Sequence, residues 1–312
     1  MARGVVIKST GSWYRVQDES GKIFECRIRG KIRLKGMRTT NPVAVGDRVV
    51  FDTEGDTAVI TDIEPRTNYI VRKSVNLSRA AHILAANLDQ ALLVVTLKQP
   101  ETMPAFIDRY LVTAEAYHIP AVLVFNKIDL YADAERDSFR EFADIYRDIG
   151  YRCIETSVVT EQGLSELKDC LKDQVSLLSG HSGVGKSTLI NAVDSKLQLK
   201  TTSISEAHQT GQHTTTFAEM HPLTFGGYVI DTPGIKGFGL VDFKRNEIAE
   251  RFPEMRALLH QCKFNNCVHV DEPHCAVKDA VEEGEIAWSR YESYLKLYFN
   301  EDDESYRKNI YE

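Results

Sequence analysis

The order of a few short motifs constrains this chain more than any other feature. Asn126-Lys127-Ile128-Asp129 comes first, closing an apolar run at Ala121–Phe125. Gly180-His181-Ser182-Gly183-Val184-Gly185-Lys186-Ser187-Thr188 follows, with apolar Val175–Leu178 before it and a helical pattern after it. Thr214-Thr215-Thr216 and Asp231-Thr232-Pro233-Gly234 come last. A glycine-rich turn between strand and helix lets consecutive backbone N–H groups face an anion, and G-x-x-x-x-G-K-[ST] is the phosphate-binding form of that turn. In the usual arrangement the phosphate loop leads and the Asn-Lys-x-Asp tetrapeptide follows. Here all the parts are present in inverted order, which predicts a circular permutation of a working α/β site rather than its decay.

Each part has a chemical task. Gly180 through Thr188 form the phosphate cradle, in which Lys186 reaches the β- and γ-phosphates and Ser187 ligates Mg²⁺. Asn126, Lys127 and Asp129 form the base-reading end. The Asp129 carboxylate accepts hydrogen bonds from guanine N1 and its exocyclic amine, a donor pair that adenine lacks, so the expected nucleotides are GTP and GDP. Ser157-Val158, after the next strand, suits a backbone clamp on the guanine oxygen. Asp231 is placed to hold Mg²⁺ through water, and the Gly234 N–H to sense the γ-phosphate. Ile235 stands where many nucleotide hydrolases carry the glutamine that orients the attacking water, and isoleucine has neither donor nor acceptor. His213 is the nearest polar candidate in sequence for that task.

At 312 residues the chain has room for two or three domains. Residues 1–66 read as five short strands punctuated by turns: Val5–Ile7, Trp13–Val16, Ile23–Ile28, Val49–Phe51 and Ala58–Ile60. A small barrel of the OB type fits, as would other small β-barrels. Residues 67–82 read as a linker, Arg72 to Ala81 most plainly. Residues 83–240 alternate strands with helices in the manner of an α/β sheet, and 241–312 read as mostly helical. No apolar run approaches the roughly 20 residues of a membrane helix and no secretory segment is apparent, so we expect a cytoplasmic protein. A monomer is the expected state.

The net charge of -7 hides an asymmetry. Residues 1–66 carry 12 Lys/Arg against 9 Asp/Glu, whereas residues 241–312 carry 10 against 16. Arg27, Arg29, Lys31, Arg33, Lys35 and Arg38 form a run without an acid, suited to tracking RNA phosphates and equally to a solvated face. Trp13 and Tyr14 suit either base stacking or a core. Cys26, Cys153 and Cys170 are scattered. Cys262-x4-Cys267-x-His269-x5-Cys275 instead supplies three thiolates and an imidazole, a closed set suited to one structural Zn²⁺. His260 and His274 are rival fourth ligands, although His274 adjoins Cys275 and closes the geometry less readily.

The motif order, the cysteine spacing, Gly211-Gln212-His213-Thr214-Thr215-Thr216 and the hydrophobic Ile235 together resemble the circularly permuted, ribosome small-subunit-dependent GTPases, the RsgA/YjeQ family. The resemblance covers all three segments. It implies a circularly permuted P-loop GTPase domain with an N-terminal OB-type β-barrel and a C-terminal, mostly helical zinc domain. It further implies GTP hydrolysis stimulated by the small ribosomal subunit, contact with its rRNA, and a part in its late maturation. It selects Thr215 as the switch threonine that closes on Mg²⁺, in a catalytic set with His213 and Lys186. An RNA-binding scaffold that senses GTP or GDP with little catalysis is the alternative. A phosphate-loop kinase or ATPase is disfavoured by Asp129 and the complete switch set. Because Asp231–Gly234 closely precedes the cysteine segment, movement at Gly234 is expected to pull on Gly237–Val241 and reorient that segment.

Overall fold

The computed structural model describes residues 1–28, 42–54, 57–73, 81–199, 218–231 and 244–299. The expectations placed on Arg29, Lys31, Arg33, Lys35, Arg38, His213, Thr215, Gly234, Ile235 and Gly237–Val241 lie outside those residues.

Five strands close the N-terminal barrel: β1 (Ala2–Ser9), β2 (Tyr14–Asp18), β3 (Ile23–Ile28), β4 (Arg48–Glu54) and β5 (Thr57–Ile63). β1 pairs antiparallel with both β2 and β4, β2 with β3, and β4 with β5, while β3 and β5 run parallel. The inward residues at the strand period of two include Val6, Tyr14, Val16, Cys26, Val49, Phe51 and Ile60, which form the barrel core. Tyr14 is thus a core residue, 1% exposed, whereas Trp13 is half-buried with the Arg27 guanidinium 3.9 Å from its ring centroid. Burial pushes the Cys26 thiol up to about 11, so it is a packing residue rather than a ligand.

The stretch from 67 to 82 contains sheet structure. β6 (Tyr69–Lys73) pairs antiparallel with β7 (Ala81–Ala86), and Ile70, Val71, Ile83 and Ala85 are buried. Arg66 fixes the start of this unit. Its Nε and one terminal nitrogen each lie 2.6 Å from a different oxygen of fully buried Asp47, which also accepts from the Ala44 N–H at 2.8 Å.

The second sheet contains β8 (Gln90–Val95), β9 (Ala121–Asn126), β10 (Arg152–Thr156), β11 (Val175–Ser179), β12 (Glu219–Pro222) and β13 (Tyr228–Asp231). The order is β10-β9-β8-β11-β13-β12, parallel except for β12 at the end. β8 is buried throughout, as a central parallel strand covered on both faces must be. Helices α1 (Pro104–Ala116), α2 (Asp133–Asp148), α3 (Leu164–Leu171) and α4 (Lys186–Val193) connect the strands. β12 also meets β1 of the barrel, with Lys8 opposite Glu219 and the Lys8 ammonium 2.7 Å from the Glu219 carboxylate.

The C-terminal part consists of short 3-10 turns, α5 (Pro253–Arg256), α6 (Ala276–Glu282) and α7 (Trp288–Phe299). Its core includes Phe252, Met255, Tyr294 and Leu297, and Val112 of α1 packs into the same cluster. A buried cation joins the two parts. Arg290 of α7 is 2.7 Å from Asp108 of α1 and 2.7 Å from Glu254 of α5, with both Arg290 and Asp108 fully buried. The Tyr146 hydroxyl donates to Asp108 at 3.1 Å. Such a cluster gains little over apolar packing, but removing one member leaves an uncompensated buried charge at a cost of about 3–5 kcal/mol.

Candidate nucleotide site and metal cluster

Parallel strands end on the same side of their sheet, where α/β proteins bind ligands. β9 ends at Asn126, β11 at Ser179 and β13 at Asp231, and Leu178 is in register with Asp231. Three motifs far apart in sequence therefore share one edge. The phosphate loop starts at Gly180, and its glycines are required sterically. A Cβ on Gly180 (φ 143°) would lie 2.4 Å from the Val94 carbonyl oxygen, and one on Gly185 (φ 94°) 2.6 Å from Asn126 Nδ2. The loop then opens directly into α4 at Lys186.

The base-reading motif is tied to this loop by two hydrogen bonds. Asn126 Nδ2 donates to the Val184 carbonyl at 2.8 Å, and Lys127 Nζ donates to the Gly183 carbonyl at 2.8 Å. Thr156 orients the Asn126 amide by donating to its oxygen at 3.1 Å. Lys127 adopts a left-handed backbone (φ 61°) that turns the chain from β9 toward Asp129. The Ser157 hydroxyl donates to Asp129 Oδ1 at 2.5 Å, and its backbone N–H donates to the Gln162 carbonyl. Ser157 therefore orients the carboxylate through its side chain, a role its place in the sequence did not suggest.

Lys186 Nζ donates to the carbonyls of Gly180 and His181, both at 2.8 Å, so its ammonium lies along the loop it would serve. Burial lowers its pKa, partly opposed by the Asp231 charge. Burial raises that of Asp231, while Lys186 and His221 pull it back down. Ser187 and Thr188 occupy the first turn of α4. The structure thus brings together Asn126, Lys127, Asp129, Ser157, the loop from Gly180 to Thr188, and Asp231. Sequence reading did not identify two supports: Gln99, whose carbonyl accepts from Lys127 Nζ at 2.6 Å, and Phe106, whose ring centroid is 3.8 Å from that of His181. Neither belongs to a recognisable motif; only the fold brings them to the site.

The cysteine group forms a second centre. One ligand atom from each of Cys262, Cys267, His269 and Cys275 lies within 4.8 Å of the others. His269 Nδ1 is 3.6, 3.4 and 3.3 Å from the Cys262, Cys267 and Cys275 sulfurs. Tetrahedral Zn²⁺ with ordinary Zn–S and Zn–N bonds sets such N···S separations at roughly 3.5 Å, so the donor set fits that ion. His269 is the histidine placed there, not His260 or His274. Burial lowers the His269 pKa, which favours the neutral imidazole that a metal needs. Around it, the Tyr291 hydroxyl donates to the His269 carbonyl at 2.6 Å, and Glu272 accepts from the Val268 and Val270 N–H groups at 2.9 and 3.0 Å.

Comparison with known proteins places this geometry. Residues 63–241 match the model of the RsgA GTPase family, and residues 3–60 that of the RsgA N-terminal domain. The small ribosomal subunit biogenesis GTPase RsgA of Christiangramia forsetii is 54% identical over 314 residues, covering 99% of each chain. Its counterpart in Flavobacterium psychrophilum is 55% identical over 312 residues, covering 99% of this chain and 95% of the relative. Among solved structures, YjeQ from Thermotoga maritima superposes with a TM-score of 0.78 at 38% identity, covering 96% of this chain and 98% of that one. YloQ, described as a circularly permuted GTPase, gives a TM-score of 0.72 at 32% identity, covering 97% and 96%. The permuted α/β sheet, the closed barrel and the helical cysteine segment expected from the sequence are the architecture observed.

Proposed function

The chain belongs to the RsgA GTPase family, and from that premise we propose that it binds the small ribosomal subunit and acts in its late maturation, hydrolysing GTP to GDP and phosphate with stimulation by the subunit. One observation carries the nucleotide half of this reading. Asn126 and Lys127 each bond the phosphate loop at 2.8 Å, so one ligand spans the base-reading and phosphate-binding ends. Asp129, oriented by Ser157, reads guanine. The loop N–H groups and Lys186 neutralise the β- and γ-phosphates where charge accumulates. Mg²⁺, when bound with GTP, offsets phosphate charge, and Ser187, Thr215 and Asp231 are the residues assigned to hold it. Gly234 is assigned to the γ-phosphate and His213 to the attacking water. The zinc assigned to Cys262, Cys267, His269 and Cys275 is structural.

Subunit contact is assigned to the barrel, through Arg27 and the basic residues Arg29, Lys31, Arg33, Lys35 and Arg38. The Arg27–Trp13 stack supports it, because a guanidinium over an indole presents both charge and a flat apolar face to RNA. Among the described residues no helix is long and apolar enough to cross a membrane. The chain is assigned to the cytoplasm and to a monomeric state.

Turnover measured against increasing small subunit is expected to rise and saturate. A flat, near-zero response would favour the nucleotide-sensing scaffold instead. Asp129→Asn is expected to lower GTP affinity by about 10²-fold and to improve binding of xanthosine nucleotides, because an amide donates where guanine also donates. Nucleotide competition checks this, and an unchanged preference for guanine would remove Asp129 from the base-reading role.

A further inference from the structure

We infer that α1 and the loop leading into it couple the C-terminal cysteine-cluster part to the nucleotide site, with Phe106 as the positioning residue at the nucleotide end. The inference rests on the phosphate loop being a GTP site, as proposed above. It adds the element through which a distant part of the chain acts on that site.

At the nucleotide end this element makes two contacts. The Gln99 carbonyl accepts from Lys127 Nζ, the same nitrogen that holds Gly183, so the loop before α1 braces the base-reading motif and the phosphate loop together. Phe106, in the first turn of α1, stacks on His181 with centroids 3.8 Å apart and planes at 32°. The His181 carbonyl is one of the two that accept from Lys186, so a displacement of the ring carries the Lys186 anchor with it. Burial and the Lys186 charge lower the His181 pKa to about 4. Near neutral pH the ring is therefore uncharged, and its contact with Phe106 is aromatic packing.

Two residues further along α1, Asp108 enters the buried cluster with Arg290 and, through it, Glu254. Val112 packs into the C-terminal core, and Glu115 pairs with Arg256 at 3.0 Å. One helix thus ends against the phosphate loop on one side and is locked into α5 and α7 along its length. A helix is stiff, and a packed interface shifts between discrete arrangements rather than yielding gradually. Coupling of this kind is reciprocal: what the C-terminal part does to nucleotide affinity, nucleotide does to the C-terminal part. The route is separate from the chain connection after Asp231, because it passes through α1 and the contacts made along it.

The test is titration of the full-length, metal-loaded chain with fluorescently labelled GDP. The variants are Phe106→Leu, Phe106→Tyr, Glu254→Gln and the Phe106→Leu/Glu254→Gln pair. Phe106→Leu is expected to weaken GDP binding about tenfold and Glu254→Gln about fivefold, within the usual range of coupling between sites. Phe106→Tyr, which keeps the ring, is expected to bind within about twofold of the unaltered chain, a rescue that a merely structural role for bulk at this position does not require. The paired variant is expected near tenfold rather than the roughly fiftyfold product of independent effects. Unchanged affinity in Phe106→Leu, or a full product in the pair, overturns the inference. Arg290 stays in place because its loss strands two carboxylates; if Glu254→Gln does not fold, Glu254→Asp replaces it with the same non-additivity expected. Failure of the unaltered chain to bind GDP would count against the proposed nucleotide site instead.

Discussion

With Lys186 replaced by alanine, GTP turnover at saturating small subunit is expected to fall on the order of 10²–10³-fold, the usual effect of removing one preorganised donor from developing transition-state charge. The geometry gives this loss its size. Lys186 Nζ is held 2.8 Å from two carbonyls of the phosphate loop, so its charge is already placed when nucleotide arrives. Burial disfavours that charge, and the anionic phosphate chain of GTP reverses the balance. Lys186→Arg is not expected to restore activity, because a planar fork cannot occupy a slot shaped for a compact ammonium. Single-turnover kinetics separate the chemical step from binding, and a Lys186→Ala variant within tenfold of normal would show the charge to be dispensable.

The second large effect concerns the cysteine cluster. Chelation of the metal, or Cys267→Ser, is expected to unfold much of the part from 244 to 299, since structural zinc supplies apparent binding free energy of about 10–16 kcal/mol in small modules. The core there is modest, and the ligand-bearing segment from Cys262 to Cys275 has little regular structure of its own. Metal content should be about one zinc per chain, a stoichiometry set by the four-ligand closed site. Limited proteolysis before and after chelation measures the effect. A metal-free chain whose C-terminal part stays protease-resistant would show that the four ligands pack without an ion.

The two effects differ in how far the sequence announced them. Lys186 and the four metal ligands were legible because each lies in a short local pattern whose chemistry fixes its spacing. The alternation of strands with helices was legible through its periodicity, and the apolar runs Ala121–Phe125 and Val175–Leu178 each fall within a residue of an observed strand. The stretch from 67 to 82 was not. Tyr69-Ile70-Val71 is a short apolar run, and its partner strand is separated from it by polar residues, so neither strand announces its pairing. Long-range ion pairs were the least legible of all. Arg66 with Asp47 and Arg290 with Asp108 look in sequence like ordinary surface charges, and only the assembled fold buries them. The same holds for Phe106 beside His181. Such contacts join residues far apart in the chain, and no local periodicity encodes them.

The meeting of β1 with β12 has a consequence for the molecule's behaviour in bulk. β12 ends the order of the nucleotide-site sheet, and an uncovered edge strand is a template for pairing with another copy. The barrel's first strand meets that edge where Lys8 lies opposite Glu219, and the two side chains form an ion pair. The barrel is therefore also a guard against self-association. A chain lacking its first 66 residues is expected to lose solubility along with the RNA contact proposed for the barrel, and precipitation would pass for loss of function.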